Sequence, residues 1–419
     1  MAIVGSGIAG IATAYYLCQA RKNASVLLID CRQPMSYTSA QSGDNYRNWW
    51  PHPTMTAFVN DSIDELDRLA RDTSNVFNMT HGGYVLATRR TDVDDLITAI
   101  QGEVDAELLS GQREVRKKFP ALSAAINNVI HIRRGGDISG QQLGQYMLEQ
   151  LRSAGGRRLQ GEVTGIGPGY CLEVNTAEGV RVVNADVVVN AAGPFAARVA
   201  RMLGIELPVK NIYQQKIAFE DHLGAIPRDL PFCVDLDPKH LNWSEEELDL
   251  LAEDRDLAWL AEKMPGGTHC RPEGGPQGTW VKLGWAYNKR VSEPRDDMAN
   301  EAVIDAQFPE IVFRGAAAFI PALQVYVDAP PARFSHYGGY YTMTEENWPL
   351  IGPLDNTGAF IVGALSGFGS MAACAAGKLC AAHICGGVLP DYATDLSMAR
   401  LDNVELMAEL VAAPNKGLL

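Results

Sequence analysis

Positive charge is scarce in this sequence. Its 419 residues contain 36 Lys and Arg against 50 Asp and Glu, so the formal net charge is −14. Proteins that bind nucleic acids or anionic membranes need clusters of Lys and Arg, because these side chains neutralise phosphates. The composition therefore argues against a nucleic-acid or membrane partner.

The eight cysteines are few and poorly placed for metal or disulfide chemistry. No two form a Cys-x-x-Cys pair, and no Cys and His residues have the spacing typical of zinc sites. A chain of this length does not need disulfides, so we expect reduced thiols and no metal site. A continuous apolar run is also missing, because Lys378 and several glycines interrupt the most apolar tract, 359–384. No secretory signal precedes the first motif, and we expect a cytoplasmic protein.

Glycine, in contrast, is abundant, with 40 residues. Gly5, Gly7 and Gly10 form a Gly-x-Gly-x-x-Gly motif between a very short apolar segment and a helical pattern, so we expect the chain to begin late in its first strand. Such glycines allow a tight turn, close approach of a pyrophosphate and close helix packing. Asp30 ends the next apolar run, where a carboxylate can bind ribose hydroxyls. The pattern predicts a dinucleotide site and disfavours NADP.

A second glycine turn lies near the C-terminus. Residues 360–371 have the pattern of a strand, a glycine turn and a helix start. Backbone amides at a helix N-terminus are suited to stabilise the negative charge that a flavin acquires on reduction. Tight packing of the alanine-rich helix that follows is the alternative explanation for these glycines.

Four segments together resemble the D-amino-acid-oxidase-type family of FAD oxidoreductases, in particular its glycine oxidase and monomeric sarcosine oxidase branch. The segments are Gly5–Gly10 with Asp30, Val187–Pro194, Gly338–Gly352 and Ser366–Gly369. The resemblance implies a Rossmann-like FAD-binding domain of α/β class and an α+β substrate domain with a mostly antiparallel sheet. It also implies oxidation of a C–N bond by hydride transfer to the flavin.

The resemblance further implies domain boundaries and cofactor contacts. The FAD domain would comprise 1–80, 130–208 and 334–419, and the substrate domain 81–129 and 209–333. The predicted FAD-binding residues are Gly5, Gly7, Ile8, Ala9, Gly10, Asp30, Cys31, Ser39, Gln41, Ser42, Gly43, Val163, Ala192, Gly193, Gly339, Gly367, Phe368, Gly369, Ser370 and Met371.

Lys282 is the catalytic residue that the resemblance implies most directly. It lies in an aliphatic-Lys-aliphatic-Gly-aromatic segment, 281–285, which in sarcosine-oxidase-like members carries the lysine that activates O2. A buried cation there would stabilise the charge of a superoxide-like transition state. An exposed strand lysine is the alternative.

The substrate site departs from the family pattern. Relatives that oxidise small amino acids bind the substrate carboxylate with an Arg and with a Lys that here is replaced by Met371, so Arg47 is the remaining candidate. The absence of the Lys at position 371 suggests that the substrate is a larger or less acidic amine than a small amino acid. Trp49, Trp50 and Trp285 are predicted to form an aromatic pocket for a cationic or flat substrate, with core packing as the alternative.

Two histidines and two tyrosines complete the predicted site. His52 and His269 are candidate general bases, although a lone His is more often structural. Tyr340 and Tyr341 lie on one strand, so one of them should point towards the flavin; Tyr341 is predicted to be catalytic and Tyr340 to contact substrate.

The sequence thus predicts an FAD-dependent amine or amino-acid oxidase that forms an imine and passes electrons to O2, giving hydrogen peroxide. Two alternatives stay open. One is a dehydrogenase that oxidises an amine or a 2-hydroxy acid and uses another acceptor. The other is a non-catalytic flavin-binding subunit of a redox complex. The acidic segment 244–264 begins with a capping box and predicts a long helix, either solvated or serving as a lid or subunit contact.

Overall fold

Two large sheets organise the molecule. The computed structural model describes residues 1–99, 104–296 and 304–413. In chain order the strands are β1 (Ala2–Val4), β2 (Leu27–Asp30), β3 (Asn45–Arg47), β4 (Tyr84–Thr88), β5 (Ala106–Ser110), β6 (Asn128–Ile132), β7 (Gly135–Asp137), β8 (Arg157–Gln160), β9 (Glu162–Gly167), β10 (Cys171–Thr176), β11 (Gly179–Asn184), β12 (Val188–Asn190), β13 (Lys210–Glu220), β14 (Phe232–Asp235), β15 (Thr268–Glu273), β16 (Trp280–Gly284), β17 (Phe334–Met343), β18 (Leu350–Pro353) and β19 (Ala359–Gly363).

Helices cover both sheets. They are α1 (Ile8–Ala20), α2 (Pro53–Asp72), α3 (Asp94–Ala99), α4 (Gln112–Lys118), α5 (Gly140–Ser153), α6 (Ala196–Met202), α7 (Glu245–Glu253), α8 (Phe308–Ala317), α9 (Gln324–Asp328), α10 (Gly369–Cys385) and α11 (Val404–Ala412). Within the described ranges, no helix is both long and apolar enough to cross a membrane.

The first sheet has six strands in the order β18-β19-β12-β1-β2-β8. All neighbours are parallel except the edge pair β18–β19. The short apolar strands are buried on both faces, as parallel strands usually are. Helices α1 and α10 cross closely on one face, where a side chain at Gly377 would lie 2.6 Å from the Ala12 carbonyl carbon. This α/β domain is of the Rossmann-like class that the glycine motif predicted.

The second sheet has eight strands in the order β17-β13-β16-β15-β14-β4-β6-β5 and is antiparallel except for β14–β4. Ile217 and Phe219 of β13 pack with Val281 and Leu283 of β16 in the same core as α8. Because side chains alternate along a strand, the residues between them lie on the other face of the sheet. That face is turned towards the first domain.

Some predicted boundaries differ from the observed elements. β6 and β17 both belong to the eight-stranded sheet, although residues 130–132 and 334–343 were predicted to lie in the FAD domain. β17 belongs to this sheet because it pairs along its whole length with β13. The capping box at Ser244 forms as predicted, but the helix ends at Glu253, and a short 3-10 turn, Ala258–Ala261, follows.

Candidate active site

A cleft lies at the carboxyl ends of β1, β2 and β12, and we refer to it as the sheet-end cleft. The predicted cofactor residues that line it are Gly5, Gly7, Asp30, Cys31, Ser39, Val163, Ala192 and Gly193. In an open parallel sheet, ligands bind outside the carboxyl ends of the strands. The cleft is therefore where the topology predicts a dinucleotide.

Gly5 forms the sharp turn at the base of this cleft. Its φ is +114°, and a Cβ there would lie 2.2 Å from the Ala191 carbonyl oxygen. A Cβ on Gly10 would lie 2.1 Å from the Gly5 oxygen, so α1 packs directly on the turn. Ala9 and Gly10 lie within α1 and are not among the cleft's lining residues. Close backbone contacts therefore require glycine at positions 5 and 10.

The Asp30 carboxylate faces the same turn. It accepts hydrogen bonds from the Ser6 amide at 2.7 Å, the Ser6 hydroxyl at 3.0 Å and the Arg32 amide at 2.9 Å. At the start of α1, the Ile8 amide donates to the Ser39 hydroxyl at 3.0 Å. A helix N-terminus with amides available to polar oxygens is a site where a pyrophosphate can bind.

Next to this cleft is a second space, the loop cavity, enclosed by residues 38–43 and by the turn before α10. Predicted cofactor residues in its lining are Ile8, Ser39, Gln41, Ser42, Gly43, Gly339, Gly367, Gly369 and Ser370. The hydroxyls of Ser42 and Ser370 are 2.9 Å apart, and Ser370 also donates to Asp44 at 3.0 Å. These contacts tie the loop to the helix start.

A third space, the interdomain cavity, separates the loop from the eight-stranded sheet. It is lined by Gly43, Asp44, Asn45, Arg47, Tyr84, Lys216, Phe232, His269, Tyr341, Asn347, Ser366, Gly367, Phe368 and Met371. Five of these residues also line the loop cavity: Gly43, Lys216, Tyr341, Ser366 and Gly367. The two spaces therefore adjoin, and a molecule in one is next to a molecule in the other.

Arg47 lies in an aromatic surround at the wall of the interdomain cavity. Its guanidinium carbon lies 5.7, 5.6 and 5.0 Å from the ring centroids of Trp49, Trp50 and Tyr84. Nη1 donates to the Tyr84 hydroxyl at 3.3 Å, and the backbone amide donates to Met371 Sδ at 3.2 Å. Burial lowers the pKa of this guanidinium from its usual value, and the Tyr84 hydroxyl opposes that shift.

His269 lines the cavity from β15. Burial lowers its pKa to about 4, so the imidazole is neutral near pH 7. Its Nδ1 lies 3.0 Å from the Gly267 carbonyl oxygen, an arrangement in which Nδ1 carries the proton and Nε2 is the acceptor. A Cβ on Gly284 would lie 2.3 Å from Nε2, so the glycine leaves room for the ring.

Lys282 lies on the same face of the sheet but is not among the residues that line these three spaces. It pairs across strands with Arg271, and its Nζ is 3.2 Å from Glu273 Oε1. Burial, reinforced by the charges of Arg271 and Lys216, lowers the pKa of Lys282 to about 8. Asp44 opposes the shift. Lys282 lies two residues from Gly284, which pairs across strands with Lys216 of the interdomain cavity, so it lies on the sheet face that adjoins this cavity.

The two tyrosines of β17 separate as strand alternation predicted. Tyr341 lines both the loop cavity and the interdomain cavity. Tyr340 faces another space, and its hydroxyl accepts from the Arg295 amide at 3.2 Å. Tyr340 is therefore not among the lining residues of the interdomain cavity, and its contact with substrate stays a prediction.

Two other predicted residues lie elsewhere. Trp285 is in the core beneath the eight-stranded sheet, where its indole donates to the Gly266 carbonyl at 3.2 Å and its ring fills the space over Gly315. His52 caps α2, because its Nδ1 accepts from the Thr54 amide at 3.2 Å. Trp285 thus has the core packing that was its alternative, and neither residue is among the lining residues of the three spaces. The catalytic role of His52 stays a prediction.

The structure also adds residues that the sequence did not single out. Lys216, Tyr84, Phe232 and Asn347 line the interdomain cavity. The available signal for Lys216 was weak: it precedes the alternating Ile217 and Phe219 and must lie on the opposite face of β13. Nothing local indicates that this face adjoins the loop at 38–43.

Comparisons with known proteins agree with this architecture. A family model described as FAD dependent oxidoreductase matches residues 1–383. Two solved structures each have a TM-score of 0.74 and 18% sequence identity to this chain. For L-proline dehydrogenase from P. horikoshii the match covers 96% of this chain and 97% of that chain. For glycine oxidase from Geobacillus kaustophilus it covers 95% of this chain and 98% of that chain. These similarities show the fold.

Two curated human proteins match part of the chain. Mitochondrial dimethylglycine dehydrogenase is 26% identical over 252 residues, which are 56% of this chain and 28% of that protein. Peroxisomal sarcosine oxidase is 26% identical over 215 residues, which are 50% of this chain and 54% of that protein. The chain thus spans about half or less of the length of these relatives.

The residues present fit FAD. Thr38 and Ser39 line both the sheet-end cleft and the loop cavity, so the two spaces form one continuous path suited to an elongated dinucleotide. Along this path in the described part of the chain, the buried hydroxyls of Thr38 and Ser366 have no hydrogen-bond partner. Buried polar atoms usually have partners, and a bound cofactor would supply them.

Proposed function

Because the chain belongs to the family of FAD dependent oxidoreductases, we propose that it oxidises a carbon–nitrogen bond of a small amine or amino acid in the interdomain cavity. The observation that carries this proposal is the shared wall of the loop cavity and the interdomain cavity. FAD, when bound, would supply the acceptor for a hydride from the carbon next to the nitrogen. Relatives named for dimethylglycine, sarcosine, glycine and proline support a substrate of this class.

Arg47 binds and orients the substrate in this proposal. Its side chain is fixed between aromatic rings and the Tyr84 hydroxyl, so little conformational freedom is lost when a ligand binds. Trp49 and Trp50 are buried behind it and support its position. They act on the substrate through Arg47, whereas Phe232, Phe368 and Met371 form the apolar wall.

The cavity favours a neutral amine. An ammonium group would meet Arg47 and Lys216, two cations in the lining, and its proton has a poor acceptor in His269 because burial lowers the pKa of that imidazole to about 4. Neutral His269 can instead accept a hydrogen bond at Nε2 from an amine N–H. We therefore propose that the amine releases its proton to solvent before oxidation, and that activity rises as pH approaches the amine's own pKa.

For the electron acceptor we propose O2, with Lys282 as the cation that stabilises negative charge developing on oxygen. Its position on the sheet face that adjoins the cavity, next to the strand that carries Lys216, supports this role. The ion pair with Glu273 favours the second candidate, a dehydrogenase that uses a different acceptor, because a paired cation stabilises a new anion less. Hydrogen peroxide as the product belongs to the first candidate alone.

Bleaching of the flavin absorbance tests the reaction. Purified protein is mixed anaerobically with a panel of primary, N-methylated and cyclic amino acids, simple amines and 2-hydroxy acids. Bleaching by an amine, with an imine or its hydrolysis product recovered, is expected; bleaching by 2-hydroxy acids alone would contradict the proposal. Admitting O2 and measuring peroxide against dye reduction then separates the oxidase from the dehydrogenase.

A further inference from the structure

Lys216 is a buried cation whose surroundings are unusual. It lies on β13 between Gly284 and Tyr337 of the neighbouring strands, and the residue is 7% exposed. Nζ donates to the Gln41 carbonyl oxygen at 3.3 Å and lies 5.5 Å from the Tyr341 ring centroid. Among the residues that the structure describes, no carboxylate lies within 4.0 Å of this nitrogen. A lysine buried in this way is expected where an anion completes the site.

The charge of the interdomain cavity is consistent with such an anion. Its described lining has two cations, Arg47 and Lys216, and one carboxylate, Asp44. The Asp44 oxygens already accept from the Ser370 hydroxyl at 3.0 Å and the Gly140 amide at 3.1 Å. His269 is neutral, because its pKa lies near 4. The described lining therefore has an excess of one positive charge.

The position of Lys216 separates it from the proposed phosphate site. It is not among the residues of the sheet-end cleft, where α1 begins, but it lines both the loop cavity and the interdomain cavity. Arg47 reaches the interdomain cavity from β3 in the first domain, and Lys216 reaches it from the eight-stranded sheet. A small molecule in this cavity lies between two cations on different domains.

We propose that Lys216 is a specificity-determining residue that binds an anionic group of the substrate, so that the protein acts on carboxylate-bearing amines and discriminates against simple amines. This inference rests on the proposed function for the reaction itself. It replaces the expectation, drawn from Met371, of a larger or less acidic amine. Lys216 supplies this cation from β13, which is far from Met371 in the sequence.

Ligand binding tests this role without turnover. Acetate and benzoate, with acetamide and benzamide as neutral isosteres, are titrated into the FAD-loaded protein, and dissociation constants are read from the flavin difference spectrum. We compare wild type with Lys216→Met, Lys216→Arg and Lys210→Met. Lys210 is a matched control, because it lies on the same strand but pairs with Glu345 outside these cavities. Thermal melting and flavin content confirm that each variant is folded and loaded.

Lys216→Met should weaken carboxylate binding by at least about tenfold, with amide binding changed less than about twofold, because only the carboxylates carry the charge that Lys216 neutralises. Lys216→Arg should recover most of the affinity, and Lys210→Met should match wild type. With a substrate identified, Lys216→Met should raise KM more for amino acids than for the corresponding amines.

Equal losses for carboxylates and amides, or unchanged carboxylate affinity in Lys216→Met, would overturn the inference. The inference would also be overturned if Lys216→Met changed the flavin reduction potential while carboxylate binding stayed constant, because Lys216 would then act on the cofactor. Failure of the proposed function is distinguishable: no amine would bleach the flavin of wild type, yet carboxylates would still perturb its spectrum in a Lys216-dependent way.

Discussion

Two buried lysines of the second domain differ in what surrounds them. Lys239 lies 2.7 Å from the fully buried Asp235 carboxylate, donates to the Thr268 hydroxyl at 3.1 Å and lies over the Trp285 ring. Arg89 adds a second cation 3.0 Å from Asp235. Within the described ranges, Lys216 donates to one carbonyl oxygen, that of Gln41 at 3.3 Å, and it adjoins two cavities. We call the first group (Arg89, Asp235, Asp237 and Lys239) the paired cluster and the second (Arg47 and Lys216) the cavity cluster.

The contrast between Lys239 and Lys216 separates two reasons why a cation can be buried: to stabilise the fold or to bind a ligand. A buried cation with a carboxylate partner is satisfied within the fold, so removing the partner should mainly reduce stability. A buried cation at a cavity wall, if its role is to bind a ligand, can be removed with little loss of stability and a large loss of function. The predictions below test this distinction.

The largest effect is expected in the paired cluster. Asp235→Asn leaves Lys239 buried without its carboxylate, and the free energy of unfolding should fall by about 3–5 kcal/mol. Denaturation of the FAD-loaded protein measures this change. Glu107→Gln, which breaks the exposed pair with Lys118, is the control and should cost less than about 1 kcal/mol. Equal stability of the two variants would remove the distinction between the clusters.

The next largest effect concerns Arg47. Arg47→Met should lower kcat/KM for an amine substrate by about 10²–10³-fold, because the cavity loses its oriented cation. The melting temperature should stay constant or rise, since a buried charge is removed. Arg47→Lys should recover part of the activity. A melting temperature that falls as far as in Asp235→Asn, with kcat/KM intact, would assign Arg47 to the fold.

Lys282 is intermediate between the clusters, because it has a carboxylate partner and lies on the sheet face that adjoins the cavity. Lys282→Met should slow reoxidation by O2 by roughly 10–100-fold and leave flavin reduction by substrate largely intact. In the wild type this step should slow as pH rises through about 8, where Lys282 loses its proton. Stopped-flow oxygen kinetics across pH measure both; unchanged kinetics in the variant would exclude Lys282 from the oxygen reaction.

The smallest effect is expected at His52, outside both clusters. His52→Ala removes the side-chain cap of α2 and should cost about 1 kcal/mol of stability, with kcat and KM unchanged. His52→Asn, which retains a capping oxygen, should restore the stability. A lost limb in the pH–rate profile of His52→Ala would instead support the original expectation of a general base.

The predictable part of the fold is the part built from local rules. Gly5, Gly7 and Gly10 predict the turn and α1, Asp30 marks the end of β2, and alternation along β17 separates Tyr340 from Tyr341. The family resemblance extended this to the FAD path. The sequence could not decide that Trp285 packs in a core and His52 caps a helix, because aromatic and imidazole side chains occur in cores and helix caps as readily as in binding sites.

The sequence by itself therefore determined the dinucleotide fold and the FAD-type cleft, because close backbone approach requires glycine at fixed spacing wherever that turn occurs. Only the tertiary structure decided which cations share a cavity. Arg47 and Lys216 come from β3 and β13, and their proximity depends on strand register and on the packing of one domain against the other. No local pattern encodes that register, so the charge of the proposed substrate site emerged from the fold.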